Sequence, residues 1–405
     1  MSTPAALKRA AAHYLDLHAH PELSGAEQRT AASFAEQLSA AGYAVTTGIG
    51  GHGVAAVLRN GPGPVVALRA ELDALPVAER TGLPYASTAT AALSDGRAVP
   101  VMHACGHDMH LACAAAAAAE LAESRQRWRG TLLVIGQPAE ETLRGARAML
   151  ADGLYERTAA PSVVLAQHTV PLPAGMLAHA QGVVTAGSRT LRVVLHGRGG
   201  HAAAPQPASS PLSAAARLVP RLEELNRPGV VVTVASLQAG DGSANVVPDR
   251  AVLTVTVRAF EEGELARMEA RIRTVVAGAS VEELSRSGVN RPDPGLAEAV
   301  RDAHLKLLGP ERVAGWPPLT ATEDFPLFGP DGFELHGVTG IRTAYWLLGM
   351  VGPDQWAATP GPGPAEKLAA LPANHSPEFR PHLGLTLRTG VAALHTAALA
   401  CLDRP

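Results

Sequence analysis

Two spacings of apolar residues alternate along the first half of the chain. Helical spacing occurs in LKRAAAHYLDLH and LACAAAAAAELAES, whereas aliphatic, β-rich runs occur in VAAVLR, VVALRA and TLLVIGQ. Next come PAEETLRGARAMLADGL, a predicted helix with Glu140 and Glu141 in its first turn, and SVVLAQHTV, a predicted buried strand ending at His168. This alternation predicts an α/β sandwich whose strand ends bring polar side chains into one crevice.

The pattern changes after Gly187. A strand, a helix, two strands and a helix are predicted in turn for TLRVVLHGRGG, PLSAAARLVPRLEEL, VVVTVASLQAG, AVLTVTVRAF and ELARMEARIRTVVAG. We therefore expect a compact α+β insert over residues 187–290. Because 405 residues exceed what one core usually holds, residues 1–186 and 291–405 are expected to form a larger domain around the insert.

Composition narrows the classes of partner. Hydrophobic residues make up 47% of the chain and charged residues 18%, which favours packed cores. A formal charge of −3 lacks the basic excess that binds nucleic acid. The N-terminal segment lacks the apolar core of a signal peptide, and no apolar run approaches about 20 residues, so we expect neither secretion nor a membrane span. The chain has three scattered cysteines, Cys105, Cys113 and Cys401, which are too few for a disulfide framework. We therefore expect a cytoplasmic location.

Two short segments carry residues suited to chemistry. Imidazole and thiol groups are dense in MHACGHDMH, where His103, Cys105, His107 and His110 lie within nine positions. This density is typical of a metal site, although a histidine-rich loop without metal is the alternative. The segment QPAEE adds a pair of acids, which in a first helical turn often only complement the helix dipole. From the residues alone, both segments stay open to either interpretation.

Ordered motifs along nearly the whole chain support the chemical interpretation. They are MHACGHDMH, GQPAEE, Gln167-His168, GRGGHAAAP, NVVPDRA and NHSPEF. In this order they resemble the aminoacylase, hippurate hydrolase and IAA-amino acid hydrolase branch of the co-catalytic metallopeptidases, peptidase family M20. The resemblance implies a zinc-exopeptidase-like α/β/α catalytic domain with an inserted lid and dimerisation domain, and hydrolysis of N-acyl amino acids or similar small amides.

The resemblance also implies a centre for two divalent metal ions, which are Zn, Mn, Co or Ni. Its ligands would be Cys105, His107, Glu141, His168 and His375. We expect Cys105 to bridge the metals, His107 and His168 to bind one of them, and Glu141 and His375 to bind the other. A bridging thiolate between two cations would be held deprotonated.

Further roles follow from the same resemblance. Glu140 matches the general base that activates water and passes its proton to the leaving nitrogen. His201 matches a histidine that stabilises the oxyanion, often across a homodimer. Asn245 and Arg258 match a pair that contacts the substrate carboxylate, although Arg258 is equally compatible with a structural ion pair. Asp73 is expected to orient a ligand histidine, while His103 and His110 are expected to lie outside the ligand set.

The chain departs from the family pattern after GGHAAAP. Where relatives often have His and then Asp-Pro, this chain has Gln206 and then Ser210-Pro211, which affects substrate specificity more than chemistry. Two other functions remain open: a dipeptidase or carboxypeptidase on the same metal centre, and a non-catalytic relative that only binds metal. A structural metal site needs no neighbouring base, so Glu140 argues against the second.

Overall fold

The computed structural model describes residues 3–93, 95–203 and 209–403. Contacts divide the chain into two compact units. Unit 1 comprises Met1–Val184, Pro292–Pro317 and Asp324–Pro405. Unit 2 comprises Thr185–Arg291 and the short segment Pro318–Glu323.

The N-terminal part of unit 1 alternates helices with strands. Its first helix begins with a side-chain cap, because the Thr3 hydroxyl accepts a hydrogen bond of 3.2 Å from the backbone N–H of Ala6. In chain order the elements are α1 (Pro4–Ala19), α2 (Gln28–Ala40), β1 (Ala44–Ile49), β2 (Gly53–Asn60), β3 (Val65–Glu71), β4 (Thr90–Ala92), β5 (Ala98–Pro100), α3 (His107–Glu123), β6 (Gly130–Gln137), α4 (Gly145–Ala151), α5 (Leu154–Arg157), β7 (Val163–Pro173) and β8 (Leu177–Ala180).

Unit 2 is an antiparallel sheet with two helices packed on one face. The sheet has the strand order β11-β13-β9-β14, and β10 pairs with β12. Helix α6 begins at the Ser210-Pro211 step, where the Ser210 hydroxyl accepts from the N–H of Ser213. Because serine and aspartate both cap helices, the departure at this position preserves the helix start. The elements are β9 (Gly187–His196), β10 (Gly200–His201), α6 (Pro211–Glu223), β11 (Val230–Ala239), β12 (Val246–Val247), β13 (Arg250–Ala259), α7 (Glu262–Val275) and β14 (Ser280–Ser287). Gln206 lies outside the described residues.

The C-terminal part of unit 1 completes its sheet. That sheet has eight strands in the order β1-β2-β6-β3-β7-β16-β8-β15. The central strands β6, β3, β7 and β16 are mutually parallel, so their carboxyl ends lie at one edge. The remaining elements are α8 (Pro294–Leu308), β15 (Val313–Trp316), α9 (Phe333–His336), β16 (Arg342–Val351), α10 (Pro353–Ala358), α11 (Pro364–Ala370) and α12 (Leu383–Cys401).

An alanine-rich helix forms the core of unit 1. Small side chains let α3 pack closely against α1 and α12, and residues from all three helices belong to one buried apolar cluster. Among the described residues, α12 alone is long and apolar enough to span a membrane by length and composition. Half of it is buried inside the protein, as is usual for a core helix.

The predicted helix at PAEETLRGARAMLADGL is wrong at its start. Residues Glu140 and Glu141 lie in a turn, and α4 begins only at Gly145. Ala139 and Leu143 have φ angles of +48° and +55°, which a right-handed helix does not allow. The predicted strand SVVLAQHTV also differs, since β7 continues past His168 to Pro173. In unit 2, the structure adds β14 and the short strands β10 and β12 to the predicted order.

Candidate metal centre

Cys105 and His107 lie where the chain enters α3. Gly106 between them adopts a left-handed φ of +81° at the helix N-cap, and both neighbouring side chains belong to candidate donor groups. The Cys105 sulfur lies 3.5 Å from Nε2 of His168. A thiol and two imidazoles thus meet at the carboxyl edge of the sheet.

Asp73 holds His107 in one tautomer. Nδ1 of His107 lies 2.9 Å from the Asp73 carbonyl oxygen and 3.2 Å from its Oδ1. Nδ1 therefore carries a proton, and Nε2 is the nitrogen that can bind either a second proton or a metal ion. Nε2 lies 3.9 Å from Glu140 Oε2 and 3.8 Å from Glu141 Oε1. This is the orienting role expected for Asp73.

Neighbouring acidic groups raise the pKa of His107. Burial alone lowers the pKa of this imidazole, but the hydrogen bond with Asp73 and the nearby carboxylates outweigh it and raise the pKa to about 10. Burial raises the pKa of the Glu141 carboxyl, against the effect of His107. The two pKa shifts have one consequence. The buried carboxylates at this site favour a bound positive charge, which is either a proton or a metal ion.

The turn that carries the two glutamates is held by carboxylates. The backbone N–H of Ala139 donates to Glu27 Oε1 at 2.8 Å, and the N–H of Glu141 donates to Asp73 Oδ2 at 2.9 Å. Glu141 Oε2 then lies 3.3 Å from Nε2 of His375. Glu141 consequently lies between His107 and His375, whereas Glu140 approaches His107.

His375 reaches the site from the loop before α12. Its φ of +70° is left-handed, and its backbone N–H donates to the Ala104 carbonyl at 2.8 Å. The imidazole is 54% exposed, so it forms the solvent side of the site. The neighbouring Asn374 donates through Nδ2 to the Thr169 carbonyl at 3.0 Å and lies 3.7 Å from the Cys105 sulfur.

Four of the five expected ligands fall into two donor groups that share Glu141. Donor atoms of Cys105, Glu141 and His375 lie within 4.8 Å of one another, and so do those of His107, Glu140 and Glu141. Within the described residues, His107 Nε2 and Glu141 Oε1 are buried without a hydrogen-bond partner, a costly arrangement that a coordinated cation would relieve. Nitrogen, oxygen and sulfur donors together suit Zn, Mn, Co or Ni.

In a third donor group, two of the four members already bind other protein groups. It comprises Glu71, His107, His110 and His168. His110 Nδ1 lies 2.8 Å from Glu71 Oε2, and Glu71 also pairs with the buried Arg69. Glu71 and His110 therefore bind each other next to the site, and Arg69 holds Glu71 in place.

The other predicted site residues lie in unit 2. His201 is exposed on β10, and its Nδ1 accepts from the N–H of Ala203 at 3.1 Å. The carbonyl of Asn245 accepts from the N–H of Ala202 at 2.9 Å, which places Asn245 beside the β10 strand. Arg258, on β13, donates to the Thr320 carbonyl at 2.8 Å. This partner is a carbonyl, so it does not supply the structural ion pair that was the alternative for Arg258.

Sequence reasoning missed a buried polar cluster beneath the site. Arg69 donates to Gln137 Oε1 at 2.8 Å and to Asp324 Oδ1 at 3.1 Å, and it also pairs with Glu71. Asp324 in turn accepts from the N–H of Ala146 at 3.0 Å at the start of α4. These residues lie in the segments RAELDALP, GQPAEE and TEDF, where an arginine close to acids in the sequence was the available signal.

Comparison with known proteins decides the family. The model of peptidase family M20/M25/M40 matches residues 67–364. The chain belongs to this family. Membership in the M20 family confirms the resemblance found in the motifs, and with it the α/β fold and the expectation of an amide-bond hydrolase.

Curated relatives of this M20 chain include two bacterial enzymes. It is 34% identical over 276 residues to N-acetylcysteine deacetylase of Bacillus subtilis (strain 168), covering 65% of this chain and 68% of the relative. It is also 34% identical over 270 residues to hippurate hydrolase of Campylobacter jejuni, covering 65% and 67%.

A solved structure resembles the whole M20 chain. The Bacillus subtilis YXEP protein, described as a dinuclear metal-binding peptidase of the M20 family, superposes with a TM-score of 0.74 at 27% identity. The match covers 99% of this chain and 98% of that protein. A dinuclear metal centre is therefore present in a relative of the same fold.

Proposed function

We propose that this M20 family chain hydrolyses the amide bond of N-acyl amino acids at a centre of two divalent metal ions. The observation that carries the proposal is the position of Glu141, which belongs to two adjacent groups of metal-binding donors. One group includes Cys105 and His375, and the other includes His107. The names of the curated relatives, a deacetylase of N-acetylcysteine and a hippurate hydrolase, support the substrate class.

The proposed ligand assignment is the one that the family resemblance implies, and the donor groups around Glu141 support part of it. In this assignment His107 and His168 would hold one metal, Glu141 and His375 would hold the other, and the Cys105 thiolate would contribute to both. Zn, Mn, Co and Ni remain candidates because the mixed donor set accepts each of them. When bound, such a pair polarises the amide carbonyl and lowers the pKa of bound water toward neutrality.

Glu140 is the proposed general base. Its side chain is buried, with 4% of the residue exposed, next to His107 Nε2. In this position the carboxylate takes a proton from the attacking water and delivers it to the leaving nitrogen. Glu140 shares the donor group of His107 with Glu141 but is absent from the group of Cys105, Glu141 and His375, so Glu141 alone belongs to both of these groups.

Unit 2 supplies the proposed contacts to substrate. The exposed imidazole of His201 is suited to stabilise the oxyanion, either within its own chain or across a homodimer formed by this unit. Asn245 and Arg258 offer an amide and a guanidinium for the substrate carboxylate. The described cysteines are free thiols, which is compatible with the proposed cytoplasmic location.

The function is tested by measuring amine release from N-acetyl, N-benzoyl and longer N-acyl amino acids beside unmodified dipeptides. We expect metal-dependent release from N-acyl amino acids, which is abolished by a chelator and restored by added metal. Preferred cleavage of dipeptides would favour the dipeptidase alternative. If two metals are bound and no member of the panel is cleaved, the proposal is wrong.

The substrate-binding assignment has a matched control in the same unit. Arg258→Gln is expected to raise KM for N-acyl amino acids with little effect on metal content, since the guanidinium would bind the carboxylate. Arg192 is an exposed arginine of β9 that pairs with Glu282 at 3.6 Å. Arg192→Gln should leave KM unchanged, and an equal rise in KM for both variants would contradict the assignment.

A further inference from the structure

Five hydrogen-bond contacts converge on Thr169, the residue after His168, and in one of them its hydroxyl oxygen lies 3.1 Å from His110 Nε2. Its backbone N–H donates to His110 Nε2 at 2.9 Å, and its hydroxyl donates to the Cys105 carbonyl at 3.0 Å. Its own carbonyl accepts from His168 Nδ1 at 2.9 Å and from Asn374 Nδ2 at 3.0 Å. Thr169 is fully buried, so water does not compete for these bonds.

The histidine tautomers follow from this arrangement. His110 Nδ1 donates to the Glu71 carboxylate at 2.8 Å, which leaves Nε2 to accept the Thr169 N–H. His168 must donate from Nδ1, because the Thr169 carbonyl has no proton to give. The Nε2 lone pair of His168 therefore faces the Cys105 sulfur, 3.5 Å away.

The hydroxyl is held at one position by the chain entering α3. A Cβ atom added at Gly106 would come within 2.3 Å of Thr169 Oγ1. The Thr169 hydroxyl thus packs against Gly106 and donates to the carbonyl of Cys105, the residue before it. Asn374 Nδ2 makes a longer contact of 3.5 Å with the same Cys105 carbonyl.

We propose that Thr169 is a positioning residue of the metal centre, whose hydroxyl fixes the Cys105 loop while its carbonyl fixes the His168 tautomer. This inference rests on the proposed function only in that Cys105 and His168 are metal ligands. Groups that orient ligands contribute to affinity because they remove the ligands' freedom before metal binds. The role of the Thr169 hydroxyl can be tested separately, because substitution of the side chain leaves the backbone carbonyl and its hydrogen bonds in place.

The test is a pair of substitutions at Thr169 that separate the effect of its hydroxyl group from the effect of its branched shape. Thr169→Val keeps the branched side chain and loses the hydroxyl, whereas Thr169→Ser keeps the hydroxyl and loses the methyl group. Metal affinity is measured by competition with a chromophoric chelator, and the Co²⁺-loaded proteins are compared by their sulfur-to-metal charge-transfer absorption. We expect about 10- to 100-fold weaker affinity and an altered absorption in Thr169→Val, with both properties close to wild type in Thr169→Ser.

Each outcome distinguishes this inference from the function on which it rests. If Thr169→Val binds metal as tightly as wild type, or if Thr169→Ser is impaired equally, positioning by the hydroxyl is wrong. Circular dichroism and the melting temperature of the metal-free variants report any loss through packing alone. If the wild type binds no metal, or if Cys105→Ser and His168→Asn leave affinity unchanged, the proposed metal centre itself is wrong.

Discussion

Gly106→Ala is expected to destabilise unit 1 by more than its backbone angle explains. Gly106 has a φ of +81°, and its added Cβ would lie 2.3 Å from Thr169 Oγ1 and 3.3 Å from Thr169 Cβ. A left-handed φ costs a residue with a Cβ roughly 1–2 kcal/mol. Forcing a buried methyl group into packed atoms adds about 1–3 kcal/mol. The expected loss in the free energy of unfolding is thus about 2–5 kcal/mol.

Gly25 provides a matched control. Its φ of +83° is nearly the same, but no atom lies within 4 Å of its added Cβ. Gly25→Ala therefore meets only the backbone cost, and both variants share the entropy that alanine removes from the unfolded chain. The difference between the variants, about 1–3 kcal/mol, isolates the contact with Thr169.

Tryptophan fluorescence is a suitable assay for this comparison. The chain has 4 tryptophans, and Trp128, Trp316, Trp346 and Trp356 all belong to unit 1. Urea unfolding is followed in the presence of a chelator, so that metal binding does not contribute to stability. Equal destabilisation by Gly106→Ala and Gly25→Ala would refute the close packing of the Cys105 loop on Thr169.

Other predictions concern stability. Arg69→Met should cost about 3–5 kcal/mol in urea unfolding, because it leaves the buried Glu71 and Asp324 carboxylates without their cation; a loss under 1 kcal/mol, on the order of an exposed pair, would contradict this. Nε2 of His179 lies 3.0 Å from Nδ1 of His304. Burial lowers the pKa of His179 to about 3 and the pKa of His304 to about 4. Unfolding therefore takes up protons, and their stabilising contribution, complete above a pH of about 6.5, should decline as the pH falls toward 4. His179→Asn should flatten this part of the stability profile, and an unchanged slope would argue against it. A chelator should lower the melting temperature and added metal restore it; a melting temperature insensitive to both would contradict a folded-state metal site.

The sequence indicated candidate ligands, several of which the structure brings together, more readily than it indicated the groups around them. Cys105, His107 and His375 could be selected because thiol and imidazole groups in ordered motifs have few alternative explanations. Thr169 could not, since a threonine inside an apolar strand has no chemical signal of its own. Its role depends on which backbone groups the fold brings beside it.

The turn at Glu140 shows the limit of local reasoning. Pro138 followed by acids is a good helix start by propensity, yet Glu27 and Asp73 accept backbone N–H groups of the turn from distant segments. Tertiary hydrogen bonds therefore override the local preference. The sequence therefore placed Glu140 and Glu141 in the first turn of a helix that does not begin until Gly145.

The most direct test of the proposed mechanism measures metal content and amine release together in wild type, Glu140→Gln and Glu141→Gln. The account predicts that Glu140→Gln retains two metals per chain and loses turnover, because it removes the base and leaves the ligands. Glu141→Gln should lose metal as well as activity. Full turnover in Glu140→Gln, or loss of metal from it with retention in Glu141→Gln, would contradict the assignment of base and ligand.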